Sequence, residues 1–205
     1  METSKKLYSV RELYWIFYNG QRTMKHLFRA KKNKELSQEF IERIMLAVTE
    51  VNGCSVCFYA HTKMALEAGM TNEEITKMLA GVIDDVPVDE VAGVMFAQYY
   101  PDSKGNPSVE SWQRILELYG KSKAYGILGA IRAIMIGNAL GIVWSALFSR
   151  LKGKPDSRTS LLYEVAMILV SIVILPVSLV YALIFGLLIV SIINLRINKE
   201  IPMVE

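Results

Sequence analysis

The chain has 205 residues, 52% of them apolar, a formal charge of +3 and two cysteines. Such a length can bury the core of one or two domains, and so small a charge gives no argument for nucleic acid. The apolar share and the positive mean hydropathy are high for a soluble domain and point to a membrane segment. Two cysteines spaced C-x-x-C exclude a disulfide scaffold and point instead to redox or metal chemistry in a reducing compartment.

The amino-terminal stretch does not read as a secretory signal. Lys5 and Lys6 are followed by Arg11 and Glu12, and the run Leu13 to Tyr18 is too short for the apolar part of one. The body of the chain is therefore expected in the cytoplasm. Tyr8, Tyr14, Trp15, Phe17 and Tyr18 precede a basic run of Arg22, Lys25, Arg29, Lys31, Lys32 and Lys34 at loosely helical spacing. Residues 1–34 are read as an amphipathic, basic segment with a solvated face, a face that also suits anionic lipid headgroups.

Ser37 is suited to cap a helix over about 39–51, with Ile41, Ile44, Met45 and Val48 on one face. Asn52-Gly53 is a stop, and a second helix starts at once near Cys54 and runs to Ala68. Thr71-Asn-Glu-Glu74 is a capping box for a third helix through Ala80. After the break at Asp84 to Pro87, a fourth helix is predicted over 88–100, and Pro101 to Pro107 form a loop. Ser108 caps a fifth helix to Tyr119, ending at Gly120. No stretch alternates with period two for long, so the fold is all-α with no sheet.

Residues 124–148 are strongly apolar and long enough to span a membrane. Arg132 and Asn138 sit within them, and Gly126, Gly129, Gly137 and Gly141 weaken a helix that is not closely packed. A buried core helix is the alternative to a span. Arg150 to Arg158 form a basic linker, and residues 161–195 are nearly continuous hydrocarbon with Glu164 as the only charge. A single helix there would be about 50 Å long, well past a ~30 Å bilayer core. It is either a hairpin turning near Pro176 or one long tilted or kinked helix. The basic linker on one side and Arg196 and Lys199 on the other favour the hairpin, with both ends cytoplasmic.

The reactive groups gather between residues 42 and 61. On a helix starting near Cys54, Cys57 lies three residues on and His61 four beyond, so all three share a face. Cys54 would stand at the helix N-terminus, where free N–H groups and the dipole favour a thiolate. His61 is one turn from Cys57 and suited to exchange a proton with it. Glu42, from the preceding helix, could orient His61. Glu50 is the second choice for that carboxylate, with a solvent-facing role more natural near its helix end. The pair of thiols can cycle between dithiol and disulfide. Two rival readings stand beside this one. In one the cysteines are buried small hydrophobes; in the other Cys54, Cys57 and His61 hold zinc with Glu42 or His26 as fourth ligand.

Glu42, Asn52-Gly-Cys54-x-x-Cys57-x-x-x-His61, Ala65, Ala68-Gly69 and Asn72-Glu-Glu-Ile75 together resemble the alkylhydroperoxidase D-like branch of the carboxymuconolactone decarboxylase family. The resemblance extends through Tyr119-Gly-Lys, Ile131-Arg132, Gly137-Asn138 and Ser149 to Gly153, covering roughly residues 35–155. It implies an all-α domain that assembles as trimers or larger rings, and a thiol peroxidase or disulfide reductase activity without a bound organic cofactor. It implies that 124–148 is a packed helix of that domain, which leaves the domain on the cytoplasmic side. By the family's proton relay, Glu42 and His61 would activate Cys57 with Cys54 as its partner, whereas the dipole alone favours Cys54 as the more acidic thiol. Val56 stands where some members carry a second histidine between the cysteines. The hydrophobic segment after Asp156 lies outside the resemblance.

These observations lead to an expectation of a membrane-tethered thiol oxidoreductase with Cys54, Cys57, His61 and Glu42 as its catalytic residues. Its partners would be a hydroperoxide, a cellular dithiol, membrane lipid and further copies of itself. The competing expectations are a membrane scaffold that uses the cysteines incidentally or for zinc, and an isomerase or decarboxylase of a small organic acid. The second of these is weakened by the lack of a basic clamp near the motif in the sequence.

Overall fold

Seven helices are described in this structure, a computed structural model that describes residues 6–200, with side chains to Ile184: α1 (Val10–Lys32), α2 (Gln38–Asn52), α3 (Ser55–Glu67), α4 (Asn72–Leu79), α5 (Val88–Asp102), α6 (Val109–Leu151) and α7 (Leu161–Glu200). No strand occurs among the described residues, and the fold is all-α as expected. Local capping chemistry sets most of the boundaries. The hydroxyls of Ser37, Thr71 and Ser108 accept from the N–H groups of Phe40, Glu74 and Ser111 at 3.0, 3.1 and 3.1 Å. Gly53 ends α2 at φ 68° and ψ 34°, a left-handed conformation that a Cβ disfavours. Gly120 interrupts α6 at φ 70°, where the fifth predicted helix was expected to stop. Helical geometry resumes at once over 121–151.

Leu13, Phe17, Leu27 and Ala30 form a buried stripe along α1, and Arg22, Lys25 and Arg29 lie on its exposed side. The stripe packs on α6, and the two backbones come close. A Cβ on Gly129 would lie 3.0 Å from the Thr23 carbonyl oxygen and 3.0 Å from the Leu27 nitrogen. Gly126 and Gly129, two of the glycines that look unfavourable in 124–148, are thus places where α1 presses against α6. α2 lies at the centre, against α3, α4, α5 and α6. Its buried Arg43 donates to Glu74 at 2.6 Å and to Glu90 at 2.7 Å, tying α2 to both α4 and α5. Burial works against charge on Arg43, but these two carboxylates outweigh it and hold its proton more tightly than usual.

The hairpin favoured over 161–195 is not formed. One helix runs through Pro176 from Leu161 to Glu200. Proline removes one N–H donor from a helix, a local defect that flanking contacts can outweigh. Here Glu164, Ser171 and Ser178 recur at seven-residue intervals on one buried face. The Arg150 guanidinium donates to both oxygens of Glu164 at 2.8 and 2.9 Å, and the Thr159 hydroxyl adds a third bond at 2.6 Å. The Ser178 hydroxyl donates to Gln21 Oε1 at 2.9 Å, and Gln21 Nε2 donates to the Leu175 carbonyl at 3.0 Å. These bonds, on either side of Pro176, hold α7 along α1 and α6. The side chains of Arg196 and Lys199, on which the hairpin argument rested, lie outside the described residues. The other faces of α7 expose Leu162, Leu169, Ile172 and Val173. Val109–Leu151 and Leu161–Ile184 are both long and apolar enough to cross a membrane; the first is mostly buried within the fold and the second is not.

Candidate active site

Because α2 stops at Gly53 and α3 starts two residues later, the two helices fold back on each other. The tight turn makes Cys54 the N-cap of α3, in extended backbone, just outside the helix that the sequence expectation had it begin. Its sulfur takes the role a serine hydroxyl usually fills, accepting from the Cys57 N–H at 3.3 Å. Cys54 and Cys57 are joined by a disulfide, with their Cα atoms 5.3 Å apart. Cys54 is 0% exposed and Cys57 7%, so Cys57 is the more accessible of the two residues.

His61 follows one turn after Cys57 on α3. Its Nδ1 lies 2.8 Å from Glu42 Oε2, across the α2–α3 contact. Glu42 is 1% exposed, and its other oxygen accepts from Gln38 Nε2 at 2.7 Å. A carboxylate only accepts hydrogen bonds, so in neutral His61 the proton sits on Nδ1 and Nε2 keeps a free lone pair. That is the tautomer a general base requires.

The opposite wall of the sulfurs is α6. A Cβ on Gly141 would stand 2.7 Å from Cys54 Sγ and 2.9 Å from Cys57 Sγ. One turn earlier on α6 the Thr49 hydroxyl donates to Asn138 Oδ1 at 3.1 Å, and nearly two turns earlier Met135 Sδ accepts from Asn52 Nδ2 at 3.2 Å. Thr49, Asn52 and Asn138 are fully buried, a polar layer within the apolar core beside the cysteine turn.

The structure thus brings Glu42 and His61 together and joins Cys54 to Cys57. Glu50 is not part of this group. Its carboxylate lies against Gly81, and burial, then Asp102, push its proton affinity up. His26 packs on the Tyr125 ring at 5.1 Å, and burial with Lys25 and Arg29 lowers its proton affinity. The two sulfurs are bonded to each other, and among the described residues no three His, Cys, Asp or Glu side chains converge to hold a metal. Three contributors were missed in the sequence. Gln38 sits one turn before Glu42, a spacing that could have found it. Gly141 and Asn138 reach the site only through the packing of α6, which no local pattern encodes.

A match to the carboxymuconolactone decarboxylase family covers residues 19–95. The matched segment is similar to that family over 19–95. It runs from the middle of α1 into α5 and includes Gln38, Glu42, both cysteines and His61. The alkylhydroperoxidase D-like branch is consistent with it. No curated protein and no solved structure matches the chain. Within the matched segment lie the disulfide and the Glu42–His61 pair. The Gly141 wall and α7 lie beyond it.

Proposed function

We propose that the protein is a thiol oxidoreductase with a peroxidase-like cycle, held at a membrane by α7. The observation that carries this reading is a disulfide at the start of α3 with a His61–Glu42 pair one turn further along, the histidine in the tautomer of a base. In the reduced enzyme, His61 Nε2 takes the Cys57 proton, and Glu42 stabilises the imidazolium. The thiolate attacks the outer oxygen of a hydroperoxide. An S–O bond forms, the O–O bond breaks, and the leaving alkoxide takes the proton from His61 as an alcohol. The Cys54 thiol then displaces water from the Cys57 sulfenic acid, which closes the disulfide. The peroxide gains two electrons and the cysteine pair loses two; a cellular dithiol returns them by exchange. The greater exposure of Cys57 supports its role as the attacking sulfur, with buried Cys54 resolving. No step calls on an organic cofactor.

The outward apolar faces of α7 support the membrane reading, with the basic Arg150 to Arg158 linker and the catalytic domain on the cytoplasmic side. From that position a lipid hydroperoxide is a natural substrate, and self-assembly into a homo-oligomer, a trimer or a multiple of one, belongs to the same reading. The test is thiol counting on reduced protein before and after peroxide addition. Two thiols per chain should disappear and return with dithiol. Thiols that stay constant, or full peroxide turnover by a Cys54→Ser/Cys57→Ser variant, would sink the mechanism.

A further inference from the structure

A cavity whose lining includes neither cysteine opens between α1, the loop after α5 and α6. Its volume is about 690 Å³, within the range that holds small organic ligands. Four cations line it, Lys6, Arg11, Lys104 and Arg132, against one carboxylate, Glu12. That carboxylate is already engaged: Glu12 Oε2 accepts from the N–H and the hydroxyl of Ser9, both at 2.8 Å, as the capping box of α1. Arg132 donates through Nε to the Tyr100 hydroxyl at 2.7 Å, and its guanidinium stacks over that ring. This bond and the ring hold the guanidinium in place, and among the described residues neither terminal nitrogen has a hydrogen-bond partner. Arg11 and Lys104 are exposed, and among the described residues neither side chain has a hydrogen-bond partner; Lys104 bonds only through its backbone.

Solvated surface cations are common and alone would carry nothing. Two features set this group apart. The charges surround a cavity instead of scattering over a convex face, and its wall also carries an apolar patch of Trp15, Ile16 and Met135 beside Asn19 and Asn106. In addition, Tyr8 lines the cavity, and its hydroxyl is buried without a hydrogen-bond partner among the described residues. Burial raises the proton affinity of that hydroxyl far above its ordinary value, so it stays a donor. Convergent donors of positive charge above an apolar wall match a ligand that carries a carboxylate or phosphate on an apolar body.

We infer that this cleft is a binding site for an organic anion, a carboxylate or phosphate on an apolar body, gripped by Arg11, Lys104 and the fixed Arg132 guanidinium. Three of its cations arise far apart in the sequence, at positions 11, 104 and 132, which is why no basic clamp is visible beside the cysteine motif. The site does not depend on thiol chemistry, and its lining includes neither sulfur. It touches the cysteine turn indirectly, because Met135 accepts the Asn52 amide two residues before Cys54.

Calorimetric titration of the full-length protein, in zwitterionic lipid discs, tests the inference. The probes are phenylacetate, phenyl phosphate and the neutral phenylacetamide, with flotation on phosphatidylglycerol vesicles as a separate arm. One anion per chain should bind saturably, at least tenfold tighter than phenylacetamide. Arg11→Gln/Lys104→Gln should weaken it at least tenfold without moving the unfolding midpoint, since both side chains are exposed. Loss of vesicle binding in the same variant would assign the anion to a lipid headgroup; anion binding with unchanged flotation would assign it to a soluble acid. Equal affinity for phenylacetamide overturns the inference. So does an absence of variant-sensitive binding in both arms.

Discussion

Replacing Gly141 by alanine adds one methyl group to α6 where it covers the disulfide. The new carbon would stand 2.7 Å from Cys54 Sγ and 2.9 Å from Cys57 Sγ. Non-bonded carbons prefer about 3.5–4.0 Å, so the methyl intrudes by roughly 1 Å on two atoms at once. Neither sulfur can easily retreat, because they are bonded to each other and Cys54 is fully buried. Overpacking of this kind costs about 1–3 kcal/mol. Alanine also favours a helix interior over glycine by about 1 kcal/mol. In the oxidised protein the two effects should leave Gly141→Ala destabilising by about 0–2 kcal/mol. In a Cys54→Ala/Cys57→Ala background the intrusion disappears and only the helix preference remains. There the same change should stabilise by up to about 1 kcal/mol. Urea unfolding of the four proteins gives the coupling directly, and a value of about 1–3 kcal/mol is expected. The same sign and size of effect in both backgrounds would refute the claim that α6 closes over the sulfurs.

Three further predictions address the base, the α7 contact and the acid limit. Glu42→Gln keeps the shape of the buried acceptor for Gln38 but must turn its amide towards His61 Nδ1; the imidazole proton then moves to Nε2 and the base is lost. Peroxide turnover should fall about 10²-fold or more, and a loss of only a few-fold in stopped-flow assays would contradict the relay. Arg150→Ala removes the cation from the buried Glu164 carboxylate and should lower the midpoint of chemical unfolding; an unchanged midpoint would deny that the pair holds α7. Burial opposes charge on Glu12, but the two Ser9 hydrogen bonds, then Lys104 and Lys6, outweigh it and hold the folded-state carboxyl below its ordinary value. Its contribution is therefore present above the ordinary carboxylate range and is lost as pH falls through the lowered value. Thermal midpoints of the wild-type chain and Glu12→Gln should converge below about pH 4; a constant gap there would exclude this linkage.

The cysteine site was legible because its parts lie within one stretch and helical geometry alone determines who meets whom. Three- and four-residue spacings place Cys57 and His61, and the Asn52-Gly53 stop brings Glu42 back to them. Gly141 was visible only as a helix-weakening residue, since its purpose depends on a contact across more than eighty positions. The same holds for Gly129, whose meaning appears only when α1 is laid beside it. The end of the chain misled for a related reason. Flanking charge and a central proline argue for a hairpin when the hydrophobic stretch is treated as alone in lipid. Glu164, Ser171 and Ser178 were already the polar exceptions in that stretch, but Arg150 and Gln21 had to be placed before those exceptions became a seam.

That seam changes where the protein can be cut. The basic linker reads as a natural place to detach a soluble catalytic piece from a greasy anchor. Yet Arg150, Tyr8 and Gln21 each hold a hydrogen bond to a residue between 163 and 178. A chain ending at the linker would leave those groups facing water and bare the flank of α1 on which half of α7 lies. The first turns of α7 therefore behave as a strut built into the wall of the domain. A segment of this kind sets the pose of the reactive face, whereas a flexible leash would only limit how far it wanders.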